Sequence, residues 1–234
     1  MFNVKRSMQI FVLILAIALL ALVAWSSTQK NSPFYQPIQA YELTTPLSQV
    51  TPQEIEETVK PYLGKSFWDI PLNHIQADLI RLDWVQSAEV KRKWPNLLYL
   101  SIKEQVPVAR WGDSGLVNRS GRVFFPLSIA GFENLVRLDG DLSESEWVLR
   151  NLIDLQNQLN ALNMTVSQLK LSEDKVWQVQ ILNGPSLVID SLEYQHKLQR
   201  FIQAFPQLDS AMRKSARVYD LRYSNGFIIA KNQS

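Results

Sequence analysis

KRKWPNLLYLSIKEQVPVARW, Lys91 to Trp111, decides the fold. Ahead of it Ala88 and Val90 alternate with Glu89, Lys91 and Lys93, the pattern of a half-buried strand. Pro95 presets φ for the first central position of a tight turn, with Asn96 after it. Leu98, Leu100 and Ile102 then alternate with Tyr99, Ser101 and Lys103, a second strand. Pro107-Val108-Ala109-Arg110-Trp111 follows almost without a loop, so the hairpin leads closely into whatever comes next.

One face of this hairpin must bury its aliphatic side chains, and the preceding sequence supplies the cover. Thr51-Pro52-Gln53-Glu54 combines an N-cap, a proline suited to the first helical position and a capping-box glutamate. Ile55, Val59, Tyr62 and Leu63 recur at helical spacing, and Gly64 closes the element. A second helix is predicted from about Pro71 to Asp83, with Leu72, Ile75, Leu79 and Leu82 in one stripe. Ile38 to Leu43 is a weak first strand. The order is strand, helix, helix, strand, strand.

The first thirty residues predict the compartment. Ile10 to Trp25 is a run of sixteen apolar residues without a break. With Met8 and Gln9 it approaches the length of a bilayer-crossing helix, roughly 17 to 25 residues. It is longer than the usual apolar region of a signal peptide, and Ala-Trp-Ser is a poor cleavage site. Lys5 and Arg6 precede it, so the short tail is expected in the cytoplasm and the bulk outside. Trp25 suits the interfacial position at the far side.

Beyond Gln105 the punctuation changes. Val106 to Trp111, Leu116 to Val117 and Val123 to Phe125 are short strand candidates. Ser143-x-x-Glu146 reads as another capping box, before Val148, Leu152, Leu155, Leu159 and Leu162 at helical spacing. Trp177, Val179 and Ile181 form a strand, and Asn183-Gly184 a turn. Asp190 is expected to start a helix with the stripe Tyr194, Leu198, Phe201, Ile202 and Phe205, stopped by Pro206. Tyr219, Leu221 and Tyr223 alternate, Asn225-Gly226 signals a two-residue hairpin, and Phe227 to Ala230 is a last apolar strand. On pattern alone that strand has two equal readings. It pairs on both sides, or it is an open edge that accepts a partner's strand.

Composition excludes several classes. The chain has 234 residues and no cysteine, so it has no disulfide, thiolate nucleophile or cysteine-based zinc site. Lys and Arg number 24 against 22 Asp and Glu, and Lys5 and Arg6 account for the excess. That balance argues against nucleic acid as a partner. His74 and His196 are the only histidines and stand apart. No nucleophile elbow, phosphate loop, dinucleotide fingerprint or His-Glu-x-x-His motif occurs, and no cofactor or small-molecule substrate is expected. The basic cluster Lys91, Arg92, Lys93 reads either as the wet face of a strand or as a surface for acidic partners or lipid headgroups.

Gly-Lys-Ser-Phe at 64–67, Leu-Asp-Trp-Val-Gln-Ser-Ala-Glu-Val at 82–90, Lys-Arg-Lys-Trp-Pro at 91–95, Glu-Gln-Val-Pro-Val-Ala-Arg-Trp at 104–111 and Tyr-Asp-Leu-Arg-Tyr-Ser-Asn-Gly at 219–226 together resemble the FtsQ/DivIB family of single-pass cell-division proteins. The resemblance implies an α+β protein. Its parts would be a cytoplasmic tail (1–7), a transmembrane helix (8–27), a linker (28–36), a POTRA domain of β-α-α-β-β order (37–105), a C-terminal mixed β domain with flanking helices (106–231) and a tail (232–234). It further implies a non-catalytic scaffold of the divisome in the bacterial inner membrane at the septum. The implied partners are FtsB and FtsL, with other divisome membrane proteins. The partner-binding residues it implies are Arg222, Tyr223, Ser224, Asn225 and Gly226, then Phe227, Ile228, Ile229 and Ala230 as the pairing edge, with Lys175 as the nearest equivalent of an upstream basic contact. Thr44-Thr45 and Asn225 depart from the family pattern. The alternatives are a membrane-anchored periplasmic cell-wall enzyme and a POTRA chaperone or transport accessory.

Overall fold

The computed structural model describes residues 4–28 and 36–231. The first three residues of the expected tail, most of the expected linker and residues 232–234 lie outside the described residues. The chain divides into two units, Met1–Gln105 and Val106–Ser234. Helix α1 runs Val4–Thr28. Its stretch Ser7–Trp25 is long and apolar enough to cross a membrane. At 1.5 Å per residue those 19 residues span about 28 Å, close to a hydrocarbon core of about 30 Å.

Strand β1 (Ala40–Leu43) is followed by helices α2 (Pro52–Val59) and α3 (Leu72–Ile80), then strands β2 (Val85–Lys93) and β3 (Leu97–Glu104). The strands form a sheet in the order β1-β3-β2, with β1 parallel to β3 and β2 antiparallel to it. The predicted cap of α2 is present in full: Thr51 accepts from the Glu54 amide, and the Glu54 side chain accepts from the Thr51 amide at 2.7 Å. Gly64 takes φ +82°, the left-handed conformation that ends the element. Ile55, Val59, Ile75 and Leu79 meet Leu98, Leu100 and Ile102 in a core of fully buried side chains. Glu104 ties the chain after β1 to the end of β3, its carboxylate accepting from the amides of Ser48, Gln49 and Val50 at 2.7–3.0 Å. The hairpin turn differs from the expected one. Lys93 is paired with Leu97, so Trp94, Pro95 and Asn96 make a three-residue connection, with the Trp94–Pro95 peptide cis.

The second unit begins with β4 (Pro107–Trp111), β5 (Gly115–Asn118), β6 (Val123–Phe124) and β7 (Arg137–Asp139). Helix α4 (Ser145–Leu159) leads to β8 (Val166–Leu171), β9 (Val176–Ile181) and β10 (Ser186–Asp190). Helices α5 (Tyr194–Ala204) and α6 (Ser210–Ser215) precede β11 (Ala216–Asp220) and β12 (Ile228–Lys231). All nine strands belong to one mixed sheet, in the order β12-β11-β10-β9-β8-β7-β4-β5-β6. Parallel neighbours need a crossover, and the two helix-bearing crossovers are β7-α4-β8 and β10-α5-α6-β11. Helices α4 and α5 share one core with the sheet. Leu155, Leu159, Leu198 and Phe201 meet Leu169, Trp177, Val179, Leu187 and Tyr219 there.

Three local expectations are corrected. Asp190 does not start a helix: it ends β10 opposite Val176, and α5 begins at Tyr194 after a turn. Ser143 and Glu146 form no capping box. Asp141 is the cap instead, accepting from the Ser143 amide at 2.8 Å and its hydroxyl at 2.6 Å, and it starts a 3-10 turn (Leu142–Glu144) that runs into α4. Asn225-Gly226 is not a two-residue hairpin turn. β11 ends at Asp220 and β12 starts at Ile228, so residues 221–227 form the loop, and Phe227 precedes the strand.

Gly121 bears a steric demand that no other residue meets. It sits at φ +83° in a turn built on Asn118, whose buried carboxamide oxygen accepts from Ser120 and Arg122 amides at 2.9 and 3.0 Å. A Cβ there would lie 2.5 Å from Cα of Glu146 at the start of α4. Gly121→Ala combines a left-handed alanine with a backbone collision, and we expect a loss of about 3 kcal/mol. Chemical denaturation of the full chain in detergent measures it. Gly226, with open space around its α-carbon, is the control, and Gly226→Ala should cost under about 1 kcal/mol.

Candidate functional site

The end of the sheet formed by β11 and β12 holds most of the residues singled out in the sequence. β12 pairs antiparallel with β11 in the register Val218↔Ala230, Tyr219↔Ile229 and Asp220↔Ile228, with a bulge between Ala216 and Val218. Among the described residues β12 has no neighbour on its other side. The direction of its backbone groups follows from β11. The Leu221 amide donates to the Val188 carbonyl at 2.7 Å, so Leu221 and, two residues back, Tyr219 face β10. Val218 and Asp220 therefore face β12, and Ala230 and Ile228 return those bonds. Ile229 lies between them, with its N–H and C=O directed to the open side.

Side chains alternate with the same logic. Ile229 and the preceding Phe227 lie over the buried face, half-buried against the core. Phe227 stands edge-on to Phe201 and Tyr219 at centroid distances of 5.3 and 5.8 Å. Ile228 is 51 % exposed and Ala230 is exposed, both on the opposite face.

Loop 221–227 is braced from helix α5 and from β11. Lys197, with only 11 % of its side chain exposed, lies between Asp190 and Glu193 and donates to the Arg222 carbonyl at 2.8 Å. Arg200 donates to the Ser224 carbonyl. The Arg222 guanidinium grips Asp220 with Nε–Oδ1 at 2.9 Å and Nη2–Oδ2 at 2.7 Å, while its amide donates to Oδ1 at 3.1 Å. Neither Asn225 nor Gly226 takes the positive φ that a type I′ turn needs. These long-range donors override the local turn preference. Tyr223 is left 51 % exposed, and Arg222, Ser224 and Asn225 are exposed beside it.

The side-chain hydrogen bond from Arg222 holds the Asp220 carboxyl below its ordinary value. A carboxylate depressed in the folded chain stabilises it above the unfolded value and loses that contribution as pH falls through the folded one. The Asp220–Arg222 brace should persist at mildly acid pH and release only below the ordinary aspartate value of 3.8. Amide exchange across 221–227, read against pH, is the check. Asp220→Asn should show faster exchange at neutral pH and no such acid transition.

Lys175 sits at the same end of the sheet, in the β8–β9 turn, with φ +59°. Its carbonyl accepts from the Ser191 amide at 2.9 Å, just beyond β10. Two strand steps separate β9 from β11, on the order of 10 Å. The Lys175 ammonium is ion-paired with Glu144 at the mouth of a cleft of about 910 Å³, which Asp139, Asp141 and Asp174 also line. The structure thus brings Arg222 to Ala230 together and sets Lys175 apart on the same rim. Phe201 was read only as part of a helical stripe, and Lys197 and Arg200, which brace the loop, were not singled out in the sequence. Their signal is two basic residues three apart on the helix that buries Leu198 and Phe201.

The Lys91–Lys93 cluster is not a reserve of unengaged charge. Lys91 pairs with Glu89 at 2.8 Å and Lys93 with Glu42 at 3.1 Å. Arg92 donates to backbone carbonyls. His74 and His196 are exposed, and among the described residues no cluster of three or more His, Cys, Asp or Glu could hold a metal.

Comparison with known proteins gives these units a class. Residues 37–105 match the family described as POTRA domain, FtsQ-type, so the chain is a POTRA-bearing protein with an apolar N-terminal helix and a second, β-rich unit. Residues 109–222 match the family described as cell division protein FtsQ/DivIB, C-terminal. Curated relatives that match the chain carry the name cell division protein FtsQ. That of Xanthomonas campestris pv. campestris is 28 % identical over 97 % of this chain and 82 % of its own length. Those of Haemophilus influenzae and Thiomonas arsenitoxydans are 31 % and 32 % identical, each over 82 % of this chain and 76 % and 74 % of their own lengths. The chain belongs to the FtsQ/DivIB family of cell division proteins. Its role lies in cell division, as a protein of the divisome.

Proposed function

We propose that the protein is a non-catalytic, bitopic scaffold that binds FtsB and, through it, FtsL by strand addition to β12, linking early and late division proteins at the septum. The outward N–H and C=O of Ile229 carry this reading, because an exposed edge is a ready template for another strand. Main-chain bonds would supply affinity. The exposed Tyr223 and Ile228 beside the braced loop would supply selectivity, and Lys175 would add a charged contact farther along the rim. In this reading α1 spans the inner membrane, with Lys5 and Arg6 holding the N-terminus in the cytoplasm and the two folded units in the periplasm. No cofactor, nucleic acid or small-molecule substrate takes part.

Co-purification from detergent-solubilised membranes tests it. Wild type should retain small coiled-coil membrane proteins of the FtsB and FtsL kind. Tyr223→Lys and a chain truncated after Asn225, which lacks β12, should lose them while circular dichroism stays folded. If both folded variants keep every partner, β12 is structural and the binding site lies elsewhere.

A further inference from the structure

Three segments converge at one end of the POTRA sheet. Gln36 to Gln39, where the chain arrives from α1, runs between the other two. On one side the Phe67 amide donates to the Gln36 carbonyl at 3.2 Å, the Gly64 amide to Ile38 at 2.8 Å, and the Ile38 amide to Lys65 at 2.9 Å. On the other side the Gln39 amide donates to Asn96 in the β2–β3 turn at 2.9 Å. Arg92 locks loop and hairpin together, its guanidinium donating to the carbonyls of Phe67, Trp68 and Ile70 at 2.6, 3.1 and 2.8 Å.

This rigid end presents two indoles to the outside. Trp68, whose carbonyl accepts from Arg92 and whose ring stands edge-on to Phe67, is 59 % exposed, and Trp94, in the turn between β2 and β3, is 65 % exposed. Lys65, three residues before Trp68, and Lys91, three residues before Trp94, are also exposed. The acids on the same end are Glu42, Asp69 and Glu89. Two of the three are paired with Lys93 and Lys91, so the local charge is close to balanced. The indoles, rather than charge, are therefore what this end offers. An amphipathic ring with a polar N–H suits the layer between hydrocarbon and water. A protein groove for two rings is the competing occupant.

Chain length favours the membrane. Helix α1 ends at Thr28, just beyond its own Trp25, and the POTRA contacts begin at Gln36. The eight residue steps between them reach at most about 28 Å when fully extended. The tryptophan-bearing end is thus tethered within that distance of the end of α1. The opposite end of β3, where Glu104 holds Ser48 to Val50, lies about 24 Å farther along the strand.

We propose that this end of the POTRA module is a membrane-contact face, with Trp68 and Trp94 seated in the headgroup layer of the bilayer that α1 crosses. The proposal rests on α1 being a membrane anchor. Because the chain has no cysteine, a single one introduced at Lys65, or at Gln53 near the opposite end, carries a fluorophore uniquely. The full chain is reconstituted into vesicles of phosphatidylethanolamine and phosphatidylglycerol containing headgroup-spin-labelled lipid. The Lys65→Cys label should be quenched well above the Gln53→Cys label. Adding Trp68→Ala and Trp94→Ala should lower its quenching to the Gln53 level. Equal quenching at the two sites, or quenching that survives loss of both indoles, overturns the proposal. So does an unquenched tip whose two-alanine variant sheds a division protein from native membranes, which assigns the face to a protein partner. Flotation with the vesicles is read in parallel. Lost flotation reports failure of α1 as an anchor, whereas lost quenching with flotation intact reports failure of the contact face alone.

Discussion

Ile229→Pro should abolish partner capture while leaving the fold almost intact. The Ile229 amide faces away from β11, so proline there removes no bond of the internal ladder. It does remove the outward donor, and its ring occupies the path of an added strand. Losing one interfacial hydrogen bond costs about 1 kcal/mol, and the steric block adds to it. We expect partner affinity to fall by at least about 100-fold, equivalent to about 3 kcal/mol. Ile228→Pro, one residue earlier, removes the donor that faces Asp220. It should free β12 from β11 and lower thermal stability as well as binding. The two proline variants therefore separate strand addition from strand integrity. Calorimetric titration of a peptide from the partner against each full-length variant in detergent gives the affinity, and thermal melting followed by circular dichroism gives the stability. If Ile229→Pro binds as wild type does, the partner contacts side chains and not the edge.

The legible and illegible parts of this chain divide by how local their determinants are. The POTRA module could be read because its signals sit within a few residues of what they control. Thr51 and Glu54 cap the helix they begin, and Ile55, Val59, Ile75 and Leu79 bury on the stripe that their spacing draws. In the second unit β8 escaped notice because a bulge between Val166 and Gln168 breaks its alternation. β10 escaped because Val188 puts an apolar residue on the outer face, so that Leu187 to Ile189 shows no period of two. The Asn225-Gly226 turn was misread for a different reason. Its geometry is set by Lys197 and Arg200, some 25 residues upstream, and by the grip of Val188 on Leu221. Pattern alone left the place of the last strand open, because an edge is a property of the whole strand order. The parallel β10–β11 crossover sends β11 and then β12 to the outside of the sheet.

Phe201→Ala is the substitution that should couple core to edge most strongly. Phe201 is fully buried, and its ring lies 5.0 Å from Tyr219, 5.3 Å from Phe205 and 5.3 Å from Phe227. It thus joins α5, β11 and the residue that leads into β12. Removing a buried phenyl ring costs about 3–5 kcal/mol. For a unit of this size that corresponds to a fall in melting temperature of about 10–15 °C. The loss is also placed where it matters, since Phe227 forfeits the ring against which it stands and the start of β12 loosens. Leu159→Ala provides the contrast. Leu159 is fully buried in the same core but lies on α4, and its loss should cost about 2–5 kcal/mol without touching Phe227. At a temperature where both variants remain folded, Phe201→Ala should bind partner weakly and Leu159→Ala should bind as wild type. Equal binding by the two would mean that global stability, and not the seating of Phe227, governs the edge.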